Sequence, residues 1–313
     1  MSDYNCVVVL GPTAVGKTAI AVRIAYEMDG EIISADSRQT YRHLDIGSGK
    51  DLDEYNVNGK AIPYHLIDIC ELPDEYNVFN YQNDFFTAWN DITARKKLPV
   101  IAGGTGLYLD SIIRKYQLLP VKENKSLREE LAPKSCEELT EILLKLCPEY
   151  HSKNDFYEKD RLIKAIEIET AKTGEEGERL RAEIAGRPEI KPFIIGTTLP
   201  RPQLWENISV RLKERLDQGM IEEVKAIHDS GISFERLEKL GLEYRYCSLF
   251  LEGKITSKED LYNQLFVAIR QFAKRQETWF RMMEKKGVKI NWLEPADKES
   301  RIKQALDMVK LKL

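Results

Sequence analysis

The run Gly11-Pro-Thr-Ala-Val-Gly-Lys-Thr18 constrains this 313-residue chain more than any other stretch. Before it stands Cys6-Val-Val-Val-Leu10, an apolar, β-branched run that reads as a buried parallel strand. After it comes Ala19-Ile-Ala-Val-Arg-Ile-Ala25, rich in good helix formers. A glycine-rich loop between a strand and a helix is the setting that phosphate binding needs. Gly11 and Gly16 let the backbone turn and point several N–H groups at one spot, where the new helix adds its positive end and Lys17 a full charge. The whole loop, Gly11, Pro12, Thr13, Ala14, Val15, Gly16, Lys17 and Thr18, is therefore the candidate site for a diphosphate or triphosphate, with the Thr18 hydroxyl as candidate ligand of Mg²⁺.

This start predicts an α/β fold, a parallel sheet of the P-loop NTPase type flanked by helices. A second strand is expected over Glu31–Ala35, which puts Asp36 at its carboxyl end. Ligands of open α/β sheets lie outside that edge, so Asp36 faces the crevice of Lys17; a helix N-cap at Asp36 or Ser37 is the alternative. His65–Ile69 is another short apolar run with a polar entry, its histidine read as structural rather than a ligand or base, and Asp84–Lys97 reads as a helix with Phe85, Trp89 and Ile92 in the core. Leu98–Ala102 reads as a strand followed at once by Gly103-Gly-Thr-Gly-Leu-Tyr108, so Thr105 arrives at the same edge. Taken alone, a tight turn explains these glycines equally well.

From 122 to 191 the chain turns polar and helical, broken by Pro133, Pro148, Gly174, Gly186 and Pro188, with no strand-like run. It reads as a helical insertion into a core made of residues 1–121 and 192–313. Within it Arg161 and Lys164 share a helix face, ordinarily a solvated one. Pro192–Thr198 returns to strand pattern, and Asn207–Asp229 reads as one charged helix with Arg211 and Arg215 a turn apart. The last long helix, Lys258–Lys285, sets Arg270, Lys274, Arg281 and Lys285 on one face, which a solvated surface or a contact to phosphates explains equally well. It sets Phe266, Ile269, Phe272, Phe280 and Met283 on the other.

Composition excludes several classes. No apolar run approaches the roughly 18 residues of a membrane helix, and no basic start with a cleavable apolar region precedes the first strand, so no membrane partner and a cytoplasmic setting are expected. The five cysteines form no CxxC pair, and the four histidines, His43, His65, His151 and His228, lack metal-ligand spacing. A net charge of -4 argues against a chain coated in nucleic acid but leaves room for a local basic surface.

Six blocks taken together carry a resemblance: GPTAVGKT at 11–18, ISADSRQTYRHLDIGSGK at 33–50, HLIDI at 65–69, PVIAGGTGLY at 99–108, NDFYEKDRLIKAIE at 154–167 and IRQFAKRQETWFR at 269–281. In this order, over nearly the whole chain, they resemble the tRNA dimethylallyltransferase family. The resemblance implies transfer of a dimethylallyl group from dimethylallyl diphosphate to the N6 amine of the adenosine on the 3′ side of a tRNA anticodon. The phosphate loop would hold the donor diphosphate rather than the tail of ATP. Lys17, Arg211 and Mg²⁺ on Thr18 would stabilise the leaving group, Thr105 would bond near the bridging oxygen, and Asp36 would take or orient the amine proton. Asp36, Ser37, Arg38 and Gln39 would meet the anticodon loop, as would Arg128, Asp160, Arg161, Leu162, Ile163 and Lys164 on the insertion. A monomer is expected.

The chain departs from the family pattern at Asn207, where an arginine is usual, at Gly49-Lys-Asp51, and at Leu240-Gly-Leu-Glu-Tyr-Arg-Tyr246. Asn207 and the 240–246 stretch are expected to bear on tRNA contacts and substrate choice, and none of the three departures to touch the donor site. Competing readings are an adenylate isopentenyltransferase acting on free nucleotides, a P-loop kinase, and a non-catalytic tRNA-binding protein. The insertion and basic last helix weigh against the first. The missing arginine-rich lid weighs against the second, and intact Lys17, Thr18, Asp36 and Thr105 against the third.

Overall fold

Every residue from Cys6 to Leu10 is apolar and buried, so the run belongs in a sheet covered on both faces. It forms β1 (Cys6–Leu10), followed by α1 (Lys17–Glu27) and β2 (Gly30–Ser34). A 3-10 turn (Leu52–Tyr55) leads to the hairpin of β3 (Asn56–Val57) and β4 (Lys60–Ala61), and then to β5 (Tyr64–His65). Next come α2 (Val78–Ala94), β6 (Leu98–Gly103) and α3 (Gly106–Ile113). Four helices follow, α4 (Lys125–Leu131), α5 (Cys136–Leu146), α6 (Lys159–Lys172) and α7 (Glu175–Ala185). After β7 (Pro192–Gly196) the chain runs through α8 (Arg201–Asp217), α9 (Met220–Asp229), α10 (Phe234–Glu238), α11 (Leu242–Leu251) and α12 (Lys258–Lys285). It ends with β8 (Asn291–Trp292) and α13 (Lys298–Lys312). The computed structural model describes residues 3–116, 118, 121, 123–148, 150, 156–172 and 175–313. His151, Gly174 and the Asn154-Asp155 start of the sixth-helix block lie outside the described residues.

Six strands form one parallel sheet in the order β5-β2-β6-β1-β7-β8. Leu10 pairs with Gly103 and with Gly196, and Ser34 with Ala102, so the carboxyl ends of the central strands are level. Alternation of side chains along each strand divides the core. Cys6, Val8, Leu10, Ile33 and Ile101 pack with α2, α3 and the end of α12, whereas Val7, Val9, Ile32 and Val100 pack with α1 and α13. A third apolar cluster, with Ile208, Leu212, Val224, Tyr244 and Leu265, holds α8, α9, α11 and α12 together. Each such buried side chain contributes about 1.5–3 kcal/mol.

Two local readings meet their limits in the structure. Of the apolar run His65–Ile69 only His65 lies in a strand, because Leu66 and Asp68 adopt φ of 65° and 57° and leave extended geometry. His65 has the structural role expected of it, 2.8 Å from Oε2 of the buried Glu31. The single helix expected over Asn207–Asp229 is two, α8 and α9, separated at Gly219 with φ of 101°, where any other residue would be strained.

The chain divides into two compact units, Met1–Lys115 with Ile190–Leu313, and Tyr116–Glu189, against bounds of 122 and 191 read from composition. The second unit has its own core, formed by Leu131, Leu139, Leu143, Leu162 and Ile166. Among the described residues no helix is long and apolar enough to cross a membrane.

Candidate active site

At the level carboxyl edge of the sheet the phosphate loop leaves β1. Gly16 caps α1 in the left-handed conformation, φ 81°. Gly11 is needed for a different reason than a turn: a Cβ there would lie 2.2 Å from the Thr197 carbonyl oxygen, so only glycine lets the loop pass the end of β7. Neighbouring elements then hold the loop open. The Thr13 N–H donates to Gln276 Oε1 at 2.8 Å, Asn207 Nδ2 donates to the Ala14 carbonyl at 3.2 Å, and Arg301 Nη1 donates to the Val15 carbonyl at 2.5 Å. Arg211 donates to the Thr13 hydroxyl. Lys17 Nζ folds back onto the Pro12 carbonyl at 2.6 Å. Burial, helped by the Arg211 guanidinium, pushes the Lys17 amine down to about 8, with Asp36 opposing. Burial and then Arg215 push Arg211 down to about 10. Crowded cations of this kind favour an anion between them.

Asp36 follows β2 in a turn, its Oδ1 accepting the Arg38 N–H at 3.0 Å; no helix starts there, so the N-cap alternative is not realised. The Thr105 N–H donates to the Ala35 carbonyl at 3.1 Å, and its hydroxyl accepts the Ser37 N–H at 3.1 Å. These two bonds stitch the turns after β2 and β6 together. Arg38 donates to the Ser37 hydroxyl at 2.6 Å and lies over the Phe272 ring, 5.9 Å from its centroid. Gln39 uses both polar ends inside the protein: its Oε1 accepts the Ser34 hydroxyl at 3.1 Å and its Nε2 donates to the Gly49 carbonyl at 3.0 Å.

Thr13, Lys17, Thr18, Asp36, Arg38, Gln39, Thr105 and Arg211 line one cavity of about 110 Å³; Ser37 stands behind its wall. The Thr18 hydroxyl has no hydrogen-bond partner among the described residues. Among those residues no three His, Cys, Asp or Glu side chains are grouped to hold a metal ion.

Several residues of the wall escape the sequence reading. Gln276 joins the phosphate loop to the Gly104 carbonyl, 2.9 Å from its Nε2, and so couples the two glycine turns. It stands in the IRQFAKRQETWFR block as a polar residue on the buried side of α12, between Ala273 and Phe280, but neither signal names its partners. Phe272 and Ile269, expected only as part of the apolar face of the last long helix, line the cavity. Arg270, expected on one basic face with Lys274, Arg281 and Lys285, is stacked over Trp205 and Phe266, at 4.7 and 5.3 Å. The departures from the family pattern, expected to leave this site untouched, reach it: Asp51, Leu242 and Glu243 line the cavity, and Asn207 holds the loop. Segments distant in the chain meet here, which spacing along the sequence cannot show.

The site residues expected in the second unit are not equivalent. Leu162 and Ile163 are buried in that unit's core, so their side chains cannot reach a ligand. Arg128 is spent on Glu167, with two bonds of 2.9 Å, and Lys164 Nζ donates to the Val121 carbonyl at 3.0 Å. Arg161 is exposed and meets Glu158 at 3.4 Å, while Asp160 starts the same helix.

Parallel strands, a phosphate loop at their carboxyl edge and a carboxylate facing it across one cavity define an enzyme site built for a phosphorylated substrate. Residues 39–283 match the model of the family described as IPP transferase, and residues 4–61 match that of isopentenyl transferase. The chain is 55% identical over 297 residues to tRNA dimethylallyltransferase 2 of Treponema denticola, covering 94% of this chain and 97% of that one. It is 50% identical over 294 residues to the protein of the same name from Phocaeicola vulgatus, covering 94% of each. Among solved structures, the full-length tRNA isopentenylpyrophosphate transferase of Bacillus halodurans aligns with TM-score 0.69 and 29% identity, covering 98% of this chain and 96% of that one. A eukaryotic dimethylallyltransferase captured acting on tRNA shares the fold, with TM-score 0.75 at 21% identity over 98% of this chain and 78% of its own. The chain belongs to the IPP transferase family, and it is a prenyltransferase.

Proposed function

We infer that this chain transfers a dimethylallyl group from dimethylallyl diphosphate to the N6 amine of the adenosine on the 3′ side of the anticodon in tRNA, releasing diphosphate. One observation carries the reading: the cations Lys17 and Arg211 and the carboxylate Asp36 line the same cavity, so a leaving anion and a nucleophile can be served at once. The allylic C–O bond breaks as the N–C bond forms. Negative charge grows on the diphosphate, where Lys17, Arg211 and the loop N–H groups stabilise it. Asp36 takes or orients the amine proton, and Thr105, held by Ser37, stands near the bridging oxygen. The hydroxyl of Thr18, without a hydrogen-bond partner among the described residues, would hold Mg²⁺, and the bound metal would supply further neutralisation of the leaving group.

The adenine must leave the anticodon-loop stack to enter so small a cavity. Arg38, beside Phe272, is the loop residue best placed to meet bases at the mouth, whereas Gln39 acts by holding Gly49. Arg161 is an exposed cation of the second unit that tRNA can meet, and Arg128 and Lys164 shape the surface around it. We place the enzyme in the cytoplasm as a monomer.

The test is transfer of label from dimethylallyl diphosphate, with Mg²⁺, to unmodified tRNA, to free AMP, or of phosphate from ATP. Label in tRNA at the adenosine 3′ of the anticodon supports the reading. Label in AMP alone moves the protein to the free-nucleotide enzymes, and phosphoryl transfer alone makes it a kinase. Asp36→Asn keeps the oxygen that accepts the Arg38 N–H. It should lose about 10²–10⁴ in turnover while tRNA affinity is kept.

A further inference from the structure

We propose that Arg215 is a second arginine for the donor diphosphate, acting beside Arg211; the proposal rests on the reading of the cavity as a prenyl-diphosphate site. Arg215 is only 6% exposed, yet its guanidinium lines the cavity. Its single ion-pair partner among the described residues is Asp51, 3.8 Å away and itself largely in water. No hydrogen bond from its five N–H donors to any described residue is present, although a buried guanidinium ordinarily spends them on carbonyls or carboxylates. Arg301, buried to the same degree, does so, bonding the carbonyls of Val15 and Ala296 and the Thr197 hydroxyl.

The backbone is shaped to keep that guanidinium where it is. At Gly49 a Cβ would come within 1.7 Å of Arg215 Nη2, and Gly49 adopts φ of 67°. Its carbonyl is fixed by Gln39, so the glycine presents a bare Cα to the flat group and no competing acceptor. Arg215 also follows Arg211 by one helical turn on α8, which places both on the face turned to the cavity. The neighbours on that side, Lys17, Thr13 and Arg211, belong to the phosphate loop or are bonded to it. An unspent guanidinium on this wall calls for a ligand with several anionic oxygens, and planar, forked recognition of phosphate oxygens is what arginine does best. Asp51 then keeps the cation company until the donor arrives.

The proposal predicts opposite effects for the two partners. In calorimetric titrations with inorganic diphosphate and Mg²⁺, Arg215→Met should weaken binding about tenfold to a hundredfold, the range for a lost charge-assisted bond. The KM for dimethylallyl diphosphate should rise with it, while the KM for tRNA stays put. Arg215→Lys should fall between, and Asp51→Asn, which frees the guanidinium, should tighten diphosphate binding. A gain in affinity is a result that general loosening of the fold does not give, so Asp51→Asn decides the matter if Arg215→Met fails to fold. Diphosphate affinity within twofold of the parent for Arg215→Met, a change in the tRNA KM instead, or weaker binding by Asp51→Asn overturns the proposal. Failure of the unaltered protein to bind diphosphate or to prenylate tRNA would instead bring down the functional reading itself.

Discussion

A lysine amine held down to about 8 by burial and by the Arg211 guanidinium is a titrating group within the working range of an enzyme. The charged form is the one that attracts a diphosphate, so the sign is fixed: charge is present below that value and is lost as pH rises through it. The donor KM should therefore be flat up to about pH 7.5 and climb above pH 8. Binding at pH 8.5 should draw a proton from buffer, measured by calorimetry in buffers of different ionisation heat. Lys17→Arg should remove this dependence, because a guanidinium keeps its charge throughout that range. The loop motif makes Lys17 and Thr18 legible in the chain. The partners that tune them, Arg211, Asn207, Gln276 and Arg301, come from α8, α12 and α13, and nothing local in those helices shows that they meet the loop.

Among the elements, the segment from Leu44 to Lys50 shows how a wall without regular structure is held. Glu223 on α9 accepts the consecutive N–H groups of Asp45, Ile46 and Gly47 at 3.0, 2.6 and 3.0 Å, and the Tyr244 hydroxyl at 2.9 Å. From the other side Lys50, buried, donates to the Tyr41 carbonyl at 2.8 Å and bonds Asp45 and Asp68. Glu223→Gln puts an amide donor where an acceptor is required and should cost about 1–3 kcal/mol in urea melts. The donor KM should rise with it, since Ser48 and Gly49 line the cavity. In the sequence Glu223 is one charge among many in the Asn207–Asp229 stretch, because its partner Ile46 lies 177 residues away. The strands and long helices are legible for the opposite reason, their signal being local. Periodicity reports burial of an element, and α12 spans the residues it indicates, Lys258–Lys285.

At the scale of the whole molecule, every residue lining the cavity belongs to the unit of Met1–Lys115 and Ile190–Leu313, so donor chemistry and the surface of the second unit can be tested separately. Arg161→Glu should raise the tRNA KM several-fold and lower the salt slope of tRNA binding by about 1, leaving the donor KM unchanged. The second unit has its own acid limit. Its buried Glu167 is held below the usual carboxylate range first by the Arg128 guanidinium, with the Asn124 N–H adding at 2.8 Å. A depressed folded value means stabilisation that is complete above about pH 4.3, the unfolded value, and lost as pH falls through the folded one. Hydrogen exchange should show α4–α6 opening first on acidification, and Glu167→Gln should open them already at neutral pH.

What the chain settles through local chemistry is a parallel α/β core, a phosphate loop between β1 and α1, and strand-end turns that carry Asp36 and Thr105 to one edge. These follow from neighbouring residues alone, because glycine freedom, helix polarity and apolar alternation act over a few positions. Tertiary packing alone decides that Gln39 and Gln276 are braces, that Phe272, Asp51 and Glu243 are walls, that Leu162 and Ile163 are core, and that Arg215 faces the cavity unspent. The physical reason is range: a charge or an amide acquires its role from the dielectric and the partners around it, and those arrive from elements hundreds of residues apart only once the chain has folded.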